Sequence, residues 1–497
     1  MNNRILKTCF VCVAATSSIF GSLANAQTSS PFEPPQEALG IYTVNSGTGL
    51  DTGCTFRDGG PLLIQLDVPA TMNPNELTEE GYLRDPQKLI QNKVIGATAK
   101  VSFPTYDIDD KASVTGRSPE IDIVSFNGEE IRTLEGFNNQ WVNDSFTIDI
   151  SKVKFDRANE IRIDIDTANT IRTWCMSVDW VSIEFDAAAP YVLAHGISAQ
   201  ADTWNQATAE DVLTTMNDSG VLYKRFSTDP AGRVTANAID LKAQIIPFLD
   251  SVKSTKVNVI AHSKGGLDAQ ALAKISAPDF EVLSLSTLST PHLGSSIADV
   301  QLLQRQAIDD YVLQNGDPNG YLSAFLDRDL AGWTNREKEK GPQLPGLGDL
   351  TTQAAAAAIN AGLRNNIENT FTMGADAGPT CLRDPTDAEI DPMADELAIS
   401  YVYNALRESY RIICEVASAV EISVVTETSL FGLISNTTLT YNFEENAKTV
   451  PNDIVVGVNS ANPRWAESLG IRPNTNHSTV KNGTNVQLFL DKTIKLR

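Results

Sequence analysis

Val257, Asn258, Val259, Ile260, Ala261, His262, Ser263, Lys264, Gly265 and Gly266 form an apolar strand that runs straight into a serine between small residues. A serine at the apex of a tight strand-to-helix turn sits in a strained backbone conformation, so the positions two before and two after it must be small. Ala261 and Gly265 meet that demand, and the Ala- and Leu-rich stretch 267–275 predicts a helix whose N-terminus points at Ser263. The dipole and free N–H groups of such a terminus favour an oxyanion. The chemistry this permits is attack by an activated hydroxyl, with Ser263 as nucleophile and the backbone N–H of Lys264 as an oxyanion donor. A purely structural turn is the competing reading of these ten residues taken alone.

A serine nucleophile needs a base that titrates near neutrality, which means histidine. The chain has four. His195 closes the short apolar run Pro190, Tyr191, Val192, Leu193, Ala194, His195, Gly196, Ile197, and His262 precedes the nucleophile with its side chain expected on the other face of the strand. His292 lies in Leu288, Ser289, Thr290, Pro291, His292, Leu293, Gly294, too soon after Ser263 to leave room for a strand that carries the acid. His477, on the polar loop Asn474, Thr475, Asn476, His477, Ser478, is the candidate base, with His292 in reserve. The third member must orient the imidazole, and Asp453 in Val450, Pro451, Asn452, Asp453, Ile454, Val455, Val456 fits, a short turn-rich stretch before His477. Asp384, Asp387, Asp391 and Asp395 fall in a region assigned to a cap and are poorer candidates.

These stretches, in this order, resemble a secreted bacterial lipase or esterase of the α/β-hydrolase superfamily over residues from about 190 to 497. The run ending in His195 and Gly196 is similar to the loop of that family that supplies one oxyanion N–H, which implies Ile197 as the donor beside Lys264. The stretch around His292 is similar to its Thr-Pro-His-x-Gly loop. The Asp453 stretch is similar to an Asn-Asp-Gly-Val loop, with Ile454 where the glycine stands. Gly346, Leu347, Gly348, Asp349, Leu350, Thr351 and Thr352 are similar to the Asp-Leu-Thr segment that opens a helix in the cap. The resemblance implies an α/β fold with a mostly parallel sheet and a helical cap. It also implies a lipid or ester substrate cleaved through an acyl-enzyme, with Ser263 attacking, His477 protonating the departing alcohol and Asp453 holding the base. Phospholipase, amidase, polyester hydrolase and acyltransferase chemistry use the same site. A non-catalytic surface or binding protein that keeps the fold is the reading from the other class. No cofactor is implied. No close Cys or His pair suggests zinc, and the structural calcium of some lipases finds no identifiable ligands here.

The elements that would position this site follow a change of pattern. Beyond residue 190 strands alternate with helices: a strand over 221–226, an amphipathic helix over 235–252 with Ile239, Ile246 and Leu249 facing the sheet, the elbow strand, and a strand over 280–288. That rhythm predicts a parallel sheet. An insertion at about 293–441, with helical character at 354–358 and in part of 412–434, is expected to form the cap or lid. Before residue 187 short alternating runs at 62–68, 94–103, 121–126, 146–150, 161–165 and 176–185 predict antiparallel strands. They suggest an all-β sandwich over 27–186 that weakly resembles jelly-roll modules of the galactose-binding type, with a structural role or a polymer or carbohydrate ligand. Residues 186–190 read as a linker.

Arg4 and Lys7, the apolar stretch 9–20 and then Ala24, Asn25, Ala26 predict a signal peptide over 1–26, hence a secreted or periplasmic protein. Losing its two cations takes the net charge from −23 to −25, which disfavours nucleic acid and anionic membrane surfaces as partners. No later run is long and apolar enough for a transmembrane helix. Of the six cysteines Cys9 and Cys12 lie in the signal, and in an exported protein the rest suggest bridges Cys54–Cys175 and Cys381–Cys414.

Overall fold

The computed structural model describes residues 30–45, 55–56, 60–111, 118–169, 174–205, 211–316, 345–364, 366–378, 420–428, 435–443 and 451–496. The expected signal peptide, Cys54, Cys381, Cys414 and the four alternative cap aspartates lie outside them. Cys175 is disulfide-bonded.

Residues Ile41–Asn45, Trp180–Glu184, Thr98–Tyr106, Cys175–Val178 and Thr55–Phe56 are neighbours in one antiparallel sheet, with Trp141–Asp149 also on Thr98–Tyr106. Leu62–Val68, Arg157–Asp164, Ile123–Phe126 and Glu129–Thr133 form a second. Strict alternation of buried and exposed residues along Leu62–Val68 turns Leu62, Ile64, Leu66 and Val68 inward. Phe126 of the second sheet packs edge-on against Phe146 of the first at 6.3 Å, so the two faces share one core. The single strand expected over 176–185 is broken at Asp179, whose N–H turns to the Pro104 carbonyl.

The second part of the chain builds a six-stranded parallel sheet in the order Tyr223–Phe226, Tyr191–Ala194, Lys256–His262, Glu281–Leu288, Asn369–Asp376, Glu467–Pro473. Tyr191–Ala194 is buried throughout, as expected of a parallel strand covered on both faces. Helices Val234–Asp250 and Gly265–Ser276 pack on one face with Val257, Val259, Ala261 and Leu285, while helix Gly483–Thr493 adds Val486, Phe489 and Leu490 to the other core.

Four expectations need correction. Ile239 is 61% exposed, because Val234, Ala238, Leu241, Ile245 and Phe248, three or four residues apart, form the face that meets the sheet. The insertion over 293–441 is not a continuous cap: the apolar run in Asn369–Asp376 forms a sheet strand between Glu281–Leu288 and Glu467–Pro473. Within the part expected to be helical, Val420–Thr428 is instead a strand paired with Ser435–Phe443, as its β-branched residues favour. The expected linker is also built in. Ala187, Ala188 and Ala189 are buried, Ala188 donates to the Val94 carbonyl, and Met72 bridges to Val221, so both parts contribute to one hydrophobic core.

Just before strand Ile123–Phe126 two carboxyls, Glu120 and Asp122, are buried. Glu120 Oε2 accepts the Asp109 N–H at 2.6 Å and Asp122 Oδ1 the Asp166 N–H at 2.8 Å, leaving Glu120 Oε1 and Asp122 Oδ2 without a donor. Burial, then the Asp122 charge, holds the Glu120 carboxyl far above its ordinary range, and burial raises Asp122 as well. The folded chain therefore keeps a proton that the unfolded chain releases at ordinary carboxyl pH, so stability falls as pH rises through and beyond that range. Glu120→Gln should flatten this dependence and raise the midpoint of thermal melts at pH 8 by roughly 1 °C for each kcal/mol relieved. Parallel melts of both proteins at pH 5 and pH 8 test it; equal pH dependence would contradict the retained proton.

Candidate active site

Ser263 stands where strand Lys256–His262 turns into helix Gly265–Ser276, at φ +55° in the left-handed region, with its N–H on the Leu288 carbonyl at 3.0 Å. A side chain at Gly265 would strike the Ala194 and His195 carbonyls, and one at Gly266 the Thr290 side chain. The smallness read from the sequence at 265 is thus a matter of the neighbouring strand's close approach. Lys264 is buried with its Nζ 2.8 and 3.0 Å from the Asp268 carboxylate, itself bonded by Asn237. Burial raises Asp268 to about 6 although Lys264 pulls it down. The ion pair ties the Lys264 side chain to its own helix, leaving only the backbone N–H for the site.

The loop after Tyr191–Ala194 is held by its histidine. Thr228 N–H donates to His195 Nε2 at 2.9 Å, so Nδ1 carries the hydrogen and donates to the Gly196 carbonyl at 2.8 Å. Burial lowers His195 to about 4, which keeps the ring neutral. Because a trans peptide points its C=O and N–H in opposite directions, fixing the Gly196 carbonyl also aims the Ile197 N–H away from His195. Among the described residues neither the Ile197 nor the Lys264 N–H has an acceptor. The sequence does not report this orienting role of His195, because it depends on Thr228, 33 residues further along the chain.

Gly196 lies so close to the elbow that an added Cβ would come 2.8 Å from Ser263 Cβ and 3.2 Å from Oγ. With Ser263 as the candidate nucleophile, Gly196→Ala should displace it and cost about 10² in kcat, with thermal stability changed little. Ester turnover measured beside a thermal melt tests it, and wild-type kcat would show that the approach is not needed.

His477 and Asp453 meet on adjacent loops. The ring Nδ1 donates to Asp453 Oδ2 at 2.8 Å, and the His477 N–H donates to the Asp453 carbonyl at 2.9 Å. Asp453 Oδ1 accepts the N–H groups of Val455 and Val456 at 2.9 and 2.6 Å, so this fully buried side chain serves purely as an acceptor, as a carboxylate does. Asn476 Oδ1 accepts from Ser478 and Thr479 and shapes the turn on the other side of His477. Ile454, the departure from the glycine of the similar loop, takes φ +84°, the conformation a glycine would adopt freely. For a β-branched residue this is costly, on the order of 1–3 kcal/mol. Its full burial and the bond from its N–H to Asn452 Oδ1 offset the strain.

His262 does not stay apart from the site: its ring lies 4.7 Å from that of His477, and its Nε2 is 2.7 Å from the His477 carbonyl oxygen. His292, the reserve base, is fully buried, with its Nε2 3.1 Å from Thr287 Oγ1 and its ring edge-on to Trp465. Among the described residues no carboxylate bonds it, and burial lowers it to about 3. Asp349 accepts the Val234 N–H at the start of helix Val234–Asp250, and Thr351 caps helix Thr352–Asn360, so that segment positions rather than reacts. Among the described residues no group of three or more His, Cys, Asp or Glu is arranged to hold a metal, and no helix is long and apolar enough to cross a membrane.

Residues 191–308, which contain the elbow and the His195 loop, match the family described as "Putative serine esterase (DUF676)". The chain is 40% identical over 73 residues to triacylglycerol lipase 2 of Saccharomyces cerevisiae, covering 14% of this chain and 22% of that protein. It is 44% identical over 59 residues to a triacylglycerol lipase of Pseudarthrobacter phenanthrenivorans, covering 12% of this chain and 18% of that one. The chain thus spans about a fifth of the length of these curated relatives. Among solved structures, a Bacillus licheniformis lipase in its mature form aligns at 17% identity and a TM-score of 0.38, over 62% of this chain and 92% of that one. The sequence similarities support a serine hydrolase of the lipase and esterase kind.

Proposed function

We propose that this protein is an exported serine ester hydrolase of the α/β-hydrolase fold that cleaves neutral lipid or ester substrates through an acyl-enzyme. Ser263 Oγ gives its proton to His477 Nε2 as it bonds to the ester carbonyl carbon. The resulting oxyanion sits against the Ile197 and Lys264 N–H groups. The tetrahedral intermediate then expels the alkoxide, which takes the proton back from His477 and leaves as alcohol. A water, deprotonated by the same ring, then bonds to the acyl carbon, and the acid is released as Ser263 Oγ leaves and takes that proton from His477. Asp453 holds the tautomer that bears its hydrogen on Nδ1 and stabilises the imidazolium in between.

The observation that carries this reading is the buried couple of His477 Nδ1 and Asp453 Oδ2 at 2.8 Å, joined through His262 to the strained apex at Ser263. An acidic chain of net charge −23 suits uncharged substrates better than polyanions. Export through the segment 1–26 accords with bridges Cys54–Cys175 and Cys381–Cys414, and the antiparallel sheets at 41–184 serve as a structural partner of the catalytic part. The experiment is a fluorophosphonate probe followed by p-nitrophenyl esters of rising chain length beside emulsified triglyceride. Covalent capture at Ser263 with ester turnover supports the proposal. A folded protein that neither labels nor turns over any ester would make it a non-catalytic bearer of the fold.

A further inference from the structure

Resting on that reading of the site, we infer that His262 is a positioning residue for the reaction: its Nε2–H grips the main chain of the base and sets the spacing between His477 and the serine next to His262 in the chain. His477 is held at three polar points. Asp453 supplies two, through its carbonyl on the His477 N–H and its carboxylate on Nδ1, and His262 supplies the third at the His477 carbonyl. The first two fix the base relative to its acid, but both belong to the same pair of loops and say nothing about where the pair sits relative to the nucleophile. Only the third reaches the strand that carries Ser263, one residue from the reacting hydroxyl.

A contact of 2.7 Å to a carbonyl oxygen requires a donor, so Nε2 bears the hydrogen. The ring is buried, and burial, Lys481 and His477 all disfavour its cation. His262 therefore stays a neutral donor while His477, with its ring 4.7 Å away, gains and loses a proton in each cycle. A second cation at that distance would oppose the imidazolium the reaction needs. Neither proton acceptor nor nucleophile, His262 acts through geometry, where misplacement by about 1 Å can cost 10² in rate.

The test separates hydrogen bonding from bulk. A glutamine amide nitrogen reaches about as far as imidazole Nε2, whereas asparagine falls short and phenylalanine fills the space without a donor. His262→Phe and His262→Asn should each lower kcat and the rate of fluorophosphonate labelling by 10- to 100-fold with KM nearly unchanged. His262→Gln should recover most of both rates. Thermal melts confirm folding, and if the phenylalanine variant does not fold, the comparison of asparagine with glutamine decides. Wild-type rates in the phenylalanine or asparagine variant, or a glutamine variant as slow as asparagine, would overturn the inference. Wild-type protein that never labels at Ser263 would instead overturn the hydrolase reading, so the two failures are distinguishable.

Discussion

Ser263→Ala is expected to lower ester turnover by a factor on the order of 10⁶ while the protein folds as before. In the proposed mechanism the size of the loss follows from covalent catalysis. Without Oγ no acyl-enzyme forms, and what remains is the contribution of the oxyanion donors and substrate binding to attack by water. Stability should barely change, because alanine bears the same left-handed strain at φ +55° that serine does and the backbone bond from residue 263 to Leu288 is kept. Steady-state kinetics, thermal melts and fluorophosphonate labelling check the three parts of this expectation. An alanine variant with a substantial share of wild-type kcat would place the nucleophile elsewhere.

The second large effect distinguishes two histidines. His477→Ala should cost a factor comparable to the serine, roughly 10⁶ in kcat, since nucleophile and base act as a unit and removing either disables both. His292→Ala should instead show up as lost stability, because His292 packs on Trp465 and bonds Thr287 in a fully buried site where no carboxylate among the described residues reaches it. Asp453→Asn should keep the geometry and still cost about 10⁴, since an amide that donates to Nδ1 favours the wrong tautomer. Kinetics and melts on the three variants test the ordering. A greater catalytic loss at position 292 than at 477 would transfer the base.

Much of this site was legible in the chain because its parts are local. The apex at Ser263 needs a strand, a small residue at 265 and a helix start, all within ten consecutive residues. The turn that displays Asp453 is likewise closed by its own neighbours, through bonds from Ile454 to Asn452 and from Val455 and Val456 to Asp453. Ile454 shows the limit of pattern reading. Its β-branched side chain weakens the match to a glycine position, yet the structure gives it the φ that glycine would take, stabilised by burial no local rule reports. The strand Asn369–Asp376 was hidden for another reason. It lies far along the chain from both its sheet neighbours, and an apolar run of eight residues does not by its period distinguish strand from buried helix. The helix face at Val234–Asp250 was misread because Ile239 satisfies hydrophobicity without satisfying the 3.6-residue spacing of the residues that are buried.

By itself the sequence determined the candidate reactive groups, the strand-to-helix setting of Ser263 and the alternating rhythm of a parallel sheet, since each depends on side-chain type and on neighbours a few positions away. Only the tertiary structure decided which of four histidines meets a carboxylate, that His195 orients the Gly196 peptide, that His262 reaches the His477 carbonyl 215 residues on, and that the antiparallel sheets share a core with the parallel one. Those outcomes depend on how strands order themselves and how loops converge at one end of a sheet. They are set by burial and hydrogen-bond satisfaction summed over the whole chain, which no short stretch of sequence contains.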